Sequence, residues 1–379
     1  MHILIIPRGY PSVQRPQIGN FEVDQAEGLV QLGHTVSMVS IDLGREFVPG
    51  EYGIHRVEKN GVLSYNICFL PSKFFPGNGL YGKFFHLQFD FLYKKIVKEL
   101  GKPDIIYAHY LWNMDWGLYL KHKYGIPLVG IEHWSEMGYE EIKPMIEAHA
   151  KRIYPQIDGL ITVSHSLQKN IEKHFGIPSD VVFDTIHDSV RITGEKRPED
   201  GKVHFISVGS LIPRKGYDDL IRAFAGSSLP SDKWTLTIIG EGAEEKTLKD
   251  LIARNGLHQI RLAGKKSKAE IVSMLNCSDV FISSSHLETF GVAALEAICC
   301  GVPVLAIDSE GPRAFITPHN GRLCEDNNEA LRKGIEYMYA HYTEFDKKRM
   351  SEEAVERFSS KAIAKQLTEI FEKVISARL

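Results

Sequence analysis

Nowhere does the sequence hold an apolar run of the length a bilayer crossing needs, about 20 residues. Cysteine is scarce. Cys68, Cys277, Cys299, Cys300 and Cys324 make an odd count with no metal-ligand spacing. Two of them are adjacent in an apolar stretch, so they read as reduced core thiols of a cytoplasmic protein. An excess of one charge is missing too. With 45 Lys and Arg against 48 Asp and Glu, the formal net charge is -3, which excludes nucleic acid as a general partner. No Asp-x-Asp pair occurs, so no metal bridging a diphosphate is expected, and no cofactor. No strand end runs straight into Gly-x-Gly-x-x-Gly, which argues against a dinucleotide dehydrogenase. At the N-terminus, Ile3-Leu4-Ile5-Ile6 is stopped by Pro7-Arg8. That run is too short for a signal-peptide core, and the expectation is a buried first strand without export.

What is present is an alternation of short apolar runs and amphipathic stretches. The chain has 379 residues, more than one compact core accommodates, and at 43% hydrophobic and 25% charged it is ordinary globular material. Strands are predicted at His2–Ile6, Thr35–Ile41, Tyr65–Leu70, Ile105–Ala108, Leu128–Ile131 and Leu160–Val163, with helices between them such as Phe21–Leu32 and Phe84–Leu100. After a polar stretch at Val190–Lys202, read as a linker, the pattern restarts at Val203–Val208, Thr235–Ile239, Ile260–Ala263, Val280–Ile282 and Val302–Ala306. The α/β pattern therefore predicts two tandem Rossmann-like domains, 1–190 and 202–350, with an interdomain cleft at the carboxyl ends of their strands. A last helix, within 351–379, is expected to cross back to the first domain.

The most informative stretch is Glu288-Thr289-Phe290-Gly291-Val292-Ala293-Ala294-Leu295-Glu296, followed by Ala297 and by Gly301-Val302-Pro303-Val304. A helix over Gly291–Cys300 places backbone N–H groups near Phe290 and Gly291 toward an anion. Glu296 then lies up to roughly 12 Å further along the axis from Glu288. Two carboxylates so spaced can grip both ends of a diphosphate-centred ligand, sugar at one and ribose at the other. Taken by itself, Glu-x7-Glu also fits an ordinary solvated helix. A second element, Val208-Gly209-Ser210-Leu211-Ile212-Pro213-Arg214-Lys215-Gly216, follows a strand and offers cations to a departing diphosphate.

Together these motifs resemble the donor site of the retaining family 4 glycosyltransferases, which have the GT-B fold. The resemblance implies that Glu288 contacts the donor sugar, Glu296 the ribose and Lys215 the phosphate. Ser210 stands where many members carry arginine, and Arg214 is the candidate replacement. Ile239-Gly240-Glu241-Gly242 and Ala263-Gly264-Lys265-Lys266 resemble further family turns in the same order, which brings in Lys266. In the first domain, Ile131-Glu132-His133-Trp134 resembles the family's strand-end histidine beside the donor sugar, so His133 joins Glu288 and Lys215 as a catalytic candidate. His109 is a second candidate of the same kind. Gly19-Asn20-Phe21 opens the first helix toward the donor phosphate, and Arg8 and Arg15 leave two readings open, contacts to an anionic acceptor or solvated loop charges.

The implied activity is metal-independent transfer, with retention, from a nucleotide-sugar donor to a glycan or lipid-linked acceptor in cell-surface polysaccharide or glycolipid synthesis. Aromatics beside Lys73, Lys83, Lys94 and Lys95 leave two readings open: peripheral contact with the inner face of the membrane, or rings packed inward, as Phe85, Phe89 and Leu92 at core-helix spacing suggest. A sugar-nucleotide epimerase of similar architecture is the alternative enzyme class. An exported two-lobed solute-binding protein would need a leader.

Overall fold

The computed structural model describes residues 1–11, 19–43, 52–69, 80–195 and 197–378. They form two compact units, Met1–Thr185 with Ser359–Leu379, and Ile186–Phe358.

The first unit opens with β1 (His2–Ile6), α1 (Asn20–Gln31) and β2 (Thr35–Leu43). A hairpin of β3 (Gly53–Lys59) and β4 (Val62–Phe69) follows, then α2 (Leu80–Leu100), β5 (Ile105–His109) and α3 (Leu111–Tyr124). Next come β6 (Leu128–Glu132), α4 (Pro144–Ile153), β7 (Gly159–Thr162), α5 (His165–Phe175) and the short β8 (Asp180–Val181). Strand order is β3-β4-β2-β1-β5-β6-β7-β8, and every neighbouring pair is parallel except β3–β4. β1, β5 and β6 are buried along their whole length. That explains their unbroken apolar sequence, since helices cover both faces of a parallel sheet. The unexpected β3 was invisible to apolar patterning because it is mostly exposed. Its turn, Asn60-Gly61, has positive φ at both residues (51° and 81°), the geometry of a tight hairpin.

The second unit contains β9 (Val203–Val208), α6 (Tyr217–Ala225), β10 (Trp234–Ile239), α7 (Glu245–Arg254), β11 (Ile260–Leu262) and α8 (Lys268–Asn276). It continues with β12 (Val280–Ser283), α9 (Val292–Cys299), β13 (Val304–Ile307), α10 (Glu310–Arg313), β14 (Gly321–Cys324), α11 (Asn328–His341) and α12 (Lys347–Phe358). The strands run β11-β10-β9-β12-β13-β14, all parallel. Val190–Lys202, read from sequence as a linker, is fastened to this unit. Thr193 N–H donates to Asn276 Oδ1 (2.7 Å), and Arg197 pairs with Asp279 (2.5 Å).

The final helix, α13 (Ser360–Ser376), belongs to the first unit. Ile363, Leu367 and Phe371 are fully buried in that unit's core. α13 crosses α1 so closely that a Cβ on Gly28 would sit 2.2 Å from Ser360 O.

Both sheets share one topological device. β1 lies between β2 and β5, and β9 lies between β10 and β12, so the winding direction reverses beside each first strand. Loops leaving the carboxyl ends there diverge and open a crevice for ligand.

Candidate active site

In the second unit the loops after β9 and β12 flank that reversal, and they are laced together. Pro213–Lys215 forms a 3-10 turn closed by Gly216, whose φ is 59°. His286 N–H donates to Arg214 O (3.0 Å), Ser284 Oγ to Lys215 O (2.8 Å) and Arg214 Nη1 to Leu287 O (2.6 Å). A Cβ at Gly216 would meet Ser284 O at 2.3 Å, so glycine is required there by both backbone angle and contact. The glycines of Gly240-Glu241-Gly242 have the same logic. Cβ atoms on Gly240 and Gly242 would lie 1.8 Å from Gly209 O and 2.3 Å from Leu211 O.

This lacing brings Arg214, Lys215 and Glu288 together. Lys215 Nζ is ion-paired with Glu288 Oε1, and Arg214 Nη1 lies 3.8 Å from Glu288 Oε2. The three side chains keep 27%, 19% and 12% of their surface, enough for a ligand to reach them. Gly311 N–H donates to Glu288 O (3.2 Å) and holds this loop from the other side. Ser210 is exposed.

Glu296 lies in α9, whose N-cap Gly291 has φ 98° and whose first turn has no side-chain cap. It is 6% exposed, and its partner is Lys268 at the start of α8. Sequence reasoning passed over Lys268. The signal was the capping box Ser267-x-x-Glu270, which fixes where α8 begins and hence where Lys268 projects. Lys266, expected in the donor loop, pairs with Glu270 (3.4 Å). Phe290 is 1% exposed and its ring packs on Phe315 and Phe358. It shapes the loop from beneath and leaves only its backbone for a donor.

In the first unit, β1, β5 and β6 deliver a second polar cluster. His133 follows β6 and is 7% exposed; its Nδ1 lies 2.8 Å from Asp184 Oδ1, and its Nε2 lies 3.1 Å from His109 Nδ1. The Asp184 contact is close, but its alignment falls short of a hydrogen bond. Burial lowers the pKa of both rings and is the largest single effect at His133, but there the Asp184, Glu22 and Glu132 carboxylates together outweigh it and the net direction is upward. His109 is driven well below the usual range by burial, then by His133 and Arg8. Glu132 is fully buried and accepts from the N–H groups of Leu111, His133 and Trp134 and from Tyr154 Oη. Burial raises its pKa.

Arg8 is exposed, with its guanidinium 5.1 Å from the Tyr110 ring and 5.8 Å from that of Phe21. Gly19 caps α1 at φ 75°, where a Cβ would meet Gly9 O at 2.2 Å. Arg15 and Lys73 lie outside the described residues, as does the side chain of Lys83. Gly77, Gly79 and Gly82 do match Gly-x-Gly-x-x-Gly in spacing. They begin eight residues past β4 rather than at its end, and residues 77–79 are also outside those described. Among the described residues, no three His, Cys, Asp or Glu side chains cluster as metal ligands, and no helix is long and apolar enough to cross a membrane.

Residues 19–183 match Glycosyltransferase Family 4, and residues 191–357 match Glycosyl transferases group 1. The chain belongs to the family 4 glycosyltransferases. This glycosyltransferase is 26% identical over 354 residues to a glycogen synthase of Mycobacterium tuberculosis, covering 87% of this chain and 84% of that one. It is 26% identical over 294 residues to a D-inositol 3-phosphate glycosyltransferase of Pseudarthrobacter chlorophenolicus, covering 71% and 70%. Its fold is GT-B. A sucrose-phosphate synthase from Thermosynechococcus elongatus superposes with TM-score 0.78 at 18% identity over the whole of both chains. The Anabaena HepE protein, solved with UDP and glucose, superposes with TM-score 0.74 at 20% identity, covering 98% and 100%.

Proposed function

We propose that this glycosyltransferase moves a sugar from a nucleoside-diphosphate donor to a glycan or lipid-linked acceptor, with retention at the anomeric carbon and without a metal. The observation that carries the reading is the cation–carboxylate set of Arg214, Lys215 and Glu288 at the carboxyl ends of β9 and β12. Lys215 is ion-paired with Glu288. A donor diphosphate exchanges places in that pair, taking Lys215 and Arg214 and freeing Glu288 for sugar hydroxyls. Arg214, anchored to Leu287 O, then supplies the charge that Ser210 does not.

Cleavage follows from that arrangement. As the bond from the anomeric carbon to the phosphate oxygen breaks, charge grows on the phosphate, where two preorganised cations stabilise it. The acceptor oxygen attacks the same face, and its proton passes to the departing phosphate oxygen. Glu296, oriented by Lys268, grips the ribose, and His133 marks the corresponding position in the first unit. No epimerisation step is needed to explain any of these groups.

The test is thermal stabilisation by a panel of UDP-, GDP- and ADP-sugars. A bound donor at a hundredfold excess over its Kd adds about 2.7 kcal/mol. Stabilisation by one base and release of its nucleoside diphosphate on adding acceptor support the proposal. A flat response across the panel overturns it.

A lipid-linked acceptor is favoured by one surface feature. Phe84, Leu87 and Phe91 recur on one face of α2 and are 39%, 63% and 42% exposed, while Phe85, Phe89 and Leu92 pack inward. Wild-type protein should sediment with anionic vesicles, and replacing Phe84, Leu87 and Phe91 by Ser should abolish this. Wild type that stays in the supernatant ends the membrane reading.

A further inference from the structure

The ring nitrogens of His109 and His133 can be accounted for one by one. His133 Nδ1 sits 2.8 Å from Asp184 Oδ1. Two lone pairs at that distance repel, so Nδ1 carries a proton. His133 Nε2 and His109 Nδ1 lie 3.1 Å apart, and a contact of that length holds one proton between the rings. The fourth nitrogen, His109 Nε2, is buried without a partner. None of the three residues is more than 7% exposed.

Two protonation states satisfy these contacts. In the first, both rings are neutral, His109 owns the shared proton, and its Nε2 is bare. In the second, one further proton sits on His109 Nε2, and the shared proton has passed to His133. The added charge then resides on His133 beside Asp184. A proton taken up at one end of the row thus appears as charge at the other.

We propose that Asp184, His133 and His109 form a proton-holding row in which Asp184 and His109 are positioning residues that keep His133 an imidazolium during glycosyl transfer. This rests on the reading of His133 as a reaction-centre group. The proton comes from solvent and is stored, not consumed, because the acceptor's proton leaves with the phosphate. The row therefore supplies a fixed positive charge at the carboxyl end of β6.

The surroundings agree. Besides Asp184, the titratable and charged groups facing the pair are Glu22 from α1, Glu132 from β6, Tyr107 from β5, and Tyr110 and Arg8 from the adjoining loops. Glu22 and Glu132 favour a cation at His133, whereas Arg8 opposes a second one on His109. One charge is stable there, and two are not.

Nitrogen-15 NMR of histidine-labelled full-length protein tests this without any donor. At about pH 7.5, above the usual histidine pKa, His133 should show both ring nitrogens protonated and His109 should be neutral with its proton on Nε2. Asp184→Asn should lower the His133 midpoint by at least about one pH unit. The basic limb of the kcat profile, measured with the sugar nucleotide found by the panel, should move down with it. Asp184→Glu should restore part of the shift. A merely structural Asp184 would instead lower kcat evenly with the limb in place. Neutral His133 in wild type, a charged His109, or an unmoved limb overturns the proposal. If no sugar nucleotide binds, transfer itself is refuted and the spectra still decide the row.

Discussion

Lys268, the first residue of α8, closes an ion pair on Glu296 in the middle of α9, so one of the two motif carboxylates is held by a residue outside the motif. Because Glu296 is 6% exposed, deleting the lysine strands a buried charge. Lys268→Ala should therefore destabilise by about 1–3 kcal/mol. Adding Glu296→Gln should recover most of that loss. A double variant as unstable as the single one in urea titration would show the two to be independent.

The two motif glutamates should separate in kinetics. On the proposed assignment Glu296 meets ribose, which is unchanged in the transition state, so Glu296→Gln should mainly raise the donor KM and weaken nucleoside diphosphate binding. On the same assignment Glu288 meets the reacting sugar, so Glu288→Gln should mainly lower kcat. Each lost charged hydrogen bond costs about 1.5–3 kcal/mol, roughly ten- to a hundred-fold. Calorimetry with the nucleoside diphosphate decides the assignment, and wild-type affinity in Glu296→Gln would refute it.

In the proposed mechanism Lys215 does the work a metal would otherwise do in neutralising the leaving group. Lys215→Ala should cost on the order of 10²–10³ in kcat. Wild-type turnover should be unchanged in EDTA. Loss of activity in chelator, restored by Mg²⁺ or Mn²⁺, would overturn the metal-free mechanism.

Acid stability should depend on Asp90. Burial acts to raise its pKa, but contacts from Lys123 (2.6 Å), Lys94 (2.8 Å) and Tyr124 Oη outweigh this and bring it down to about 2. A depressed carboxylate contributes stability above its unfolded pKa of about 3.9, and that contribution fades as pH falls toward the folded value. Melting temperatures of wild type and Asp90→Asn should differ near neutrality and converge between about pH 4 and pH 2. A gap that persists at the acid end would rule out the linkage.

Much of the architecture could be read in the sequence for a definite reason. His2–Ile6 is legible to the residue because a strand buried on both faces must be apolar throughout. Glu288, Lys215 and Arg214 are legible because glycines bracket them, and the contacts at Gly216, Gly240 and Gly242 show why. The partners of these residues were not legible. Lys268 pairs across two helices, and Asp184 meets His133 from fifty-one positions away, contacts that no local spacing encodes. Phe290 reads as part of the donor motif, yet burial assigns its ring to packing.

The return of α13 to the first unit bears on how the molecule is made. Residues 186–358 are contiguous, so the second unit is complete before α13 is synthesised, whereas the first lacks a wall of its core until the last turns emerge. Domains generally mature in the order in which they are translated. Here that order is inverted: the half that begins first finishes last, and α1 waits with Gly28 bare for Ser360 to arrive. Free chains ending near Phe358 would carry a finished second unit beside an open first one.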